Sequence, residues 1–168
     1  MASLIKPSFI YIITIAVLTL GYNISHARPY DRPPYKYYYY GKDGKLIDNL
    51  DRELRQKVSY IEARLNKKLD KTVNIYLTLT LEDFNNLTHG RVPGWAGGIA
   101  IPGRNTVILK TPLFFGQGVP LEVLAAHELS HILIHEIIGD NYLPRWFEEG
   151  LCQVLSGESR HGSLGRLG

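Results

Sequence analysis

The stretch AAHELSHILIH, residues 125–135, places His127 and His131 four residues apart, with Glu128 directly after the first. On a helix that interval returns to the same face after about one turn, so the two imidazoles project side by side. Two imidazole nitrogens at this spacing can hold one Zn²⁺ ion at about 2.0–2.1 Å each. Glu128 then falls within reach of water on the metal rather than of the metal itself. His135 continues the stripe one turn further on. Its spacing suits contact with the ligand set and a plain surface position equally well. The competing reading is a polar stripe on a helix that packs elsewhere, but burying two histidines and a glutamate without a metal is costly.

A mononuclear hydrolytic site needs a third protein ligand. The metzincin arrangement, HExxHxxGxxH, would require glycine and histidine where this chain has Ile134 and Ile137, and is excluded. The other source is the following segment, LPRWFEEGLCQVLSGE (143–158), whose Pro144 suits a first helical turn and whose Gly157 suits a stop. If this helix returns antiparallel across the first, Glu149 can face the histidine pair. Glu148, about 100° away around the helix, is its competitor. Gly150, costing about 1 kcal/mol inside a helix, is expected where the two helices approach closely. Trp146 and Phe147 read as core. Cys152 is the only cysteine, so no intrachain disulfide is available. With no second thiol, it reads as a small apolar helix residue rather than a nucleophile or ligand.

HELSH (127–131) followed by PRWFEEGL (144–151) resembles the gluzincin metallopeptidases, whose pattern is HExxH, a spacer of this length, then W-[LF]-x-E-G-[LF]-A. The preceding stretch WAGGIAIPGRNTVIL (95–109) is similar to exported bacterial proteins of the peptidase MA-like family. The resemblance covers roughly 73–158. It implies a zincin-like fold and a Zn²⁺ cofactor held by His127, His131 and Glu149, with Glu148 on the variable position of the motif. It also implies hydrolysis of peptide bonds in a peptide or protein substrate, with Glu128 as general base and Zn²⁺ acidifying and orienting the attacking water. A strand before the HExxH helix, GIAI or TVILK, would border the cleft and pair with an extended peptide.

Gluzincins usually continue past the glutamate helix into a helical part that closes the cleft and carries a Tyr or His for the oxyanion. Here SRHGSLGRLG (159–168) follows, and position 153, where relatives often carry an acidic or polar supporting group, holds Gln153. The expectation is the zinc-binding half of such an enzyme, shortened at the C-terminus. Losing one oxyanion donor costs about 10²–10³ in rate. The alternative to an active peptidase is therefore a catalytically weak or inactive relative, acting as a zinc-stabilised peptide- or envelope-binding module.

The elements that must position these residues can be read from the remaining pattern. Pro120 suits the start of the HExxH helix, which should run to about Ile138 and stop at Gly139-Asp140. Residues 48–69 form an amphipathic helix pattern, with Leu50, Leu54, Val58, Ile61, Leu65 and Leu69 on one face. VNIYLTLT (73–80) alternates as a half-buried strand, and Thr80 with Asp83 caps a short helix near 81–88. PGWAGG (93–98) reads as a loop, and GIAI and TVILK as a strand pair around a turn at 102–105. RPYDRPPYKYYYY (28–40) and GKDGK (41–45) predict an N-terminal hairpin segment over 28–48, with Asp43-Gly44 as a turn pair. The order of helix, strands and two helices predicts an α+β fold with a mostly antiparallel sheet. The zincin-like domain would occupy 49–158, and 159–168 would be a disordered tail.

Composition bounds the rest. A chain of 168 residues, 45% apolar and 21% charged, suits one globular domain. A net charge of +3 without a basic block argues against nucleic-acid binding. Residues 1–27 read as a signal peptide: MASLIK, the apolar run FIYIITIAVLTL (9–20), then SHA (25–27) before Arg28. The alternative is a retained membrane anchor, but the apolar run is shorter than the roughly 20 residues a spanning helix needs. The expected location is periplasmic or extracellular, with no stable membrane insertion after cleavage. No pattern specifies an oligomeric state.

Overall fold

The computed structural model describes residues 27–111 and 118–158. The expected signal peptide, apart from Ala27, and the expected tail at 159–168 lie outside the described residues. Strand β1 (Arg28–Arg32) pairs antiparallel with β2 (Tyr35–Tyr39), and the chain reverses at Pro33-Pro34. The hairpin therefore forms, but its turn precedes the tyrosine run. Asp43-Gly44 instead leads into helix α1 (Lys45–Leu65), with Asp43 Oδ1 accepting from the Lys45 N–H at 3.0 Å. The period of two puts Tyr35, Tyr37 and Tyr39 into the core. Packing, not ligand display, explains those three tyrosines.

Helix α1 starts and stops a few residues earlier than the leucine spacing predicts. Asn66 ends it in the left-handed conformation, φ 48°, which Asn tolerates. Leu69 still reaches the core from beyond the helix, its N–H donating to Glu62 Oε1 at 2.8 Å. Ile47, Leu50, Leu54, Val58 and Ile61 form the buried face. Strand β3 (Val73–Thr78) buries Val73, Ile75 and Leu77. Helix α2 (Leu81–Thr88) begins at Thr80, whose hydroxyl accepts from the Asp83 N–H at 3.0 Å, as the pattern predicts.

Strands β4 (Gly98–Ile101) and β5 (Thr106–Lys110) form the expected antiparallel pair. The sheet order is β1-β2-β3-β5-β4. The expectation of a mostly antiparallel sheet is corrected: β2–β3 and β3–β5 are parallel, and only the two outer hairpins are antiparallel. The reason is connectivity. Helix α1 carries the chain from the end of β2 back to the start of β3, a crossover that makes neighbouring strands run the same way. The α+β reading stands: the described residues form a mixed sheet of five strands and four α-helices.

Helix α3 (Leu121–Ile138) follows Pro120 and ends at Gly139, and α4 (Arg145–Ser156) follows Pro144 and ends at Gly157. Leu129, Ile132 and Leu133 of α3 are fully buried in the same core as the α1 leucines and the β3 aliphatics. Because α3 is apolar on almost every face, it lies inside the fold rather than on its surface. Among the described residues no helix is long and apolar enough to cross a membrane.

Candidate metal centre

Helix α3 packs against α1, α4 and β4, and this placement sets the direction of its polar stripe. His127 and Glu128 are buried at 8% and 7% exposure, and His131 is partly buried. The two imidazole centroids stand 5.1 Å apart. His127 Nε2 lies 3.5 Å from Glu149 Oε2, and His131 Nε2 lies 3.8 Å from the same oxygen. A tetrahedral ion with ligands at about 2.0–2.1 Å spaces them about 3.4 Å apart. The antiparallel return of α4 thus brings Glu149 Oε2 within 3.8 Å of both Nε2 atoms.

The other ring nitrogens face carboxylates. His131 Nδ1 is hydrogen-bonded to Glu148 Oε1 at 2.6 Å. His127 Nδ1 is 2.7 Å from Glu158 Oε2, but the pair is out of line for a hydrogen bond, so neither buried atom has a well-aligned partner. Glu148, weighed as a rival third ligand, meets His131 from the side opposite Glu149. Cys152 is fully buried, and its sulfur and one ligand atom each of His127 and His131 lie within 4.8 Å of one another. These three side chains could hold a metal ion. Burial and the carboxylates of Glu148 and Glu149 push the Cys152 thiol well above its ordinary range, which opposes thiolate formation while no cation is bound.

Electrostatics follow from packing four carboxylates around two imidazoles. Burial favours the neutral His127 ring, but Glu149 and Glu158, with Glu128, outweigh it and raise its pKa to about 10. Burial raises Glu128 to about 7, against the pull of His127. Contact with His127 holds Glu149 below the usual carboxylate range. A divalent cation would relieve this crowding of negative charge.

Glu128 points toward strand β4, where the nearby Ala100 N–H works against the upward pull of burial. Gly98 makes that position available. A Cβ there would lie 2.7 Å from Leu109 Cδ2 and 3.1 Å from Glu128 Oε1. The loop before β4 is tied down by Lys110, whose Nζ donates to the Gly94 carbonyl at 2.8 Å. A cleft of about 1020 Å³ opens over the site, bordered by Trp95, Gly98, Ala100, Tyr142, Arg145 and Glu149.

Several sequence expectations change here. Trp146 and Phe147 are not core: they are 77% and 46% exposed, because α4 turns its glutamate and Cys152 side inward. A Cβ at Gly150 would meet nothing within 4 Å, so close helix approach does not explain that glycine. His135 is exposed and stands apart from the site. Sequence reasoning missed Gly98 and Glu158. A glycine opening a strand is a signal of close approach and could have flagged the first. Glu158 follows a left-handed Gly157, φ 80°, and no helical spacing carries through that reversal. No protein-family model matches the chain, and no curated protein matches it.

Proposed function

We propose that this chain is an exported, zincin-like zinc peptidase of the gluzincin type, in which His127, His131 and Glu149 hold the metal and Glu128 is the general base. The observation that carries this reading is the convergence of both histidine Nε2 atoms on Glu149 Oε2, with a carboxylate standing at each Nδ1. Carboxylate contact at one ring nitrogen favours a proton there and leaves the other nitrogen's lone pair free for a metal. When bound, zinc supplies a Lewis acid that polarises a carbonyl and acidifies water.

The chain's own residues account for the rest. The Glu128 carboxylate can take a proton from the attacking water and return it to the leaving amine. Strand β4 lies at the sheet edge beside the cleft, so an extended peptide can add to it as a further strand. Strand β5, the alternative from sequence, is interior, with β3 and β4 on its two sides. Tyr142 and Arg145 border the same cleft and carry donors for negative charge on a carbonyl oxygen. Export rests on the apolar run 9–20 before SHA; a secreted chain whose N-terminal sequence does not start at Arg28 would refute that cleavage.

A structural metal site in a peptide- or envelope-binding module is the second reading, and Cys152 favours it. A thiolate joining the histidines and Glu149 would complete four ligands, as in closed structural sites. Metal analysis and peptide hydrolysis by the chain and its Glu128→Gln variant test the enzyme reading. Stoichiometric zinc without Glu128-dependent turnover would sink the peptidase. A thiolate charge-transfer band on cobalt substitution, lost in Cys152→Ser, would identify the closed site. Failure to bind metal would sink both.

A further inference from the structure

We propose that Glu158 is a positioning residue for the metal centre, one that orients His127 from beyond the end of the glutamate helix. The inference rests on the proposed metal site and concerns how its first histidine is held. His127 needs a carboxylate or carbonyl at Nδ1 if Nε2 is to present a lone pair. Helix α4 offers no such group to His127 from within its own turns. Glu148 is engaged with His131 Nδ1 at 2.6 Å, and Glu149 faces both Nε2 atoms. Position 153, one turn beyond Glu149, holds the neutral Gln153.

The chain supplies the missing carboxylate by stopping the helix and folding back. Gly157 adopts φ 80°, and its N–H donates to the Gln153 and Val154 carbonyls. The next residue then turns toward α3, its N–H donating to Ser156 Oγ at 3.3 Å. This brings Glu158 Oε2 to 2.7 Å from His127 Nδ1, with the Glu158 side chain only 16% exposed. Both atoms are buried, and each lacks an aligned hydrogen-bond partner. A small rotation of the His127 ring toward a bound cation, or of the carboxylate, is all that separates this contact from a charge-assisted hydrogen bond. Each histidine then has its own carboxylate, Glu148 for His131 and Glu158 for His127.

The test is Zn²⁺ affinity by competition with a chromogenic chelator, for the full chain and for Glu158→Gln and Glu158→Ala. The metal-free melting temperature of each variant is measured alongside. Compared at the high-pH limit of the affinity profile, where His127 carries no extra proton in any of the chains, Glu158→Ala should bind Zn²⁺ about 10–100-fold more weakly, with Glu158→Gln between it and the unsubstituted chain. Because Glu158 also attracts the protonated His127 ring, metal-free melting temperatures should fall in both variants at neutral pH, so the readout that a merely structural role would not move is the ring proton. In the zinc-loaded protein a downfield His127 ring N–H proton resonance should be present, and absent in Glu158→Ala. If the unsubstituted chain binds zinc and both variants bind it equally tightly, with the proton resonance retained, the positioning role is wrong and the metal site stands. If the unsubstituted chain binds no zinc, the metal site falls, and this role with it.

Discussion

Metal uptake should be coupled to proton release, and the coupling can be worked from His127. In the metal-free site Glu149 and Glu158 raise this imidazole to about 10. A protonated ring cannot ligate, so binding at pH 7 must first remove a proton held about three pH units too tightly. That costs about 4 kcal/mol at 1.36 kcal/mol per unit and weakens the apparent affinity about 10³-fold. The sign is fixed: affinity rises about tenfold per pH unit from 7 toward 10, then levels off. Chelator competition between pH 6.5 and 9 measures the slope. Calorimetry in two buffers of different protonation enthalpy should count about one proton released per zinc at pH 8. A flat affinity profile with no proton release would refute the argument, because His127 would then be neutral before the metal arrives.

The same raised pKa stabilises the metal-free fold, fully below the ordinary 6.5 and less as pH rises through about 10. Glu128, raised from 4.5 to about 7, acts in the same direction across its own window, so metal-free melting temperatures should fall between pH 5 and pH 10. Glu128→Gln should lower peptide turnover by about 10²–10⁴ while zinc content stays stoichiometric; retained turnover would remove Glu128 from the chemistry. Gly98→Ala forces Leu109 and Glu128 to move, and a displaced base should cost about 10² in turnover with zinc affinity nearly unchanged. Thr80→Ala should lose about 1 kcal/mol in denaturant unfolding through its cap and leave metal affinity alone.

Local rules reached far into this chain. The i, i+4 histidine pair, the Pro120 and Pro144 starts, the Gly139 and Gly157 stops and the Thr80 cap all depend on a few neighbouring residues, and the structure places each as the spacing predicts. Where long-range contacts decide, the reading failed. Strand direction depends on which way a crossover returns the chain, so two parallel pairings were invisible in the pattern of elements. Trp146 and Phe147 read as core by residue type alone, yet the orientation of α4 turns them outward.

The sequence by itself determined the helix that bears His127, Glu128 and His131, because one helical turn suffices to bring them onto one face. It also narrowed the candidates for the proposed third ligand to Glu148 and Glu149, because that stretch carries its acids at a helical return. Only the tertiary structure decided between their roles, setting Glu149 against both Nε2 atoms and Glu148 against His131 Nδ1. It alone brought Gly98, Cys152 and Glu158 to the site, through strand pairing, helix packing and a left-handed reversal. Such contacts join residues with no common period, so local spacing carries no trace of them.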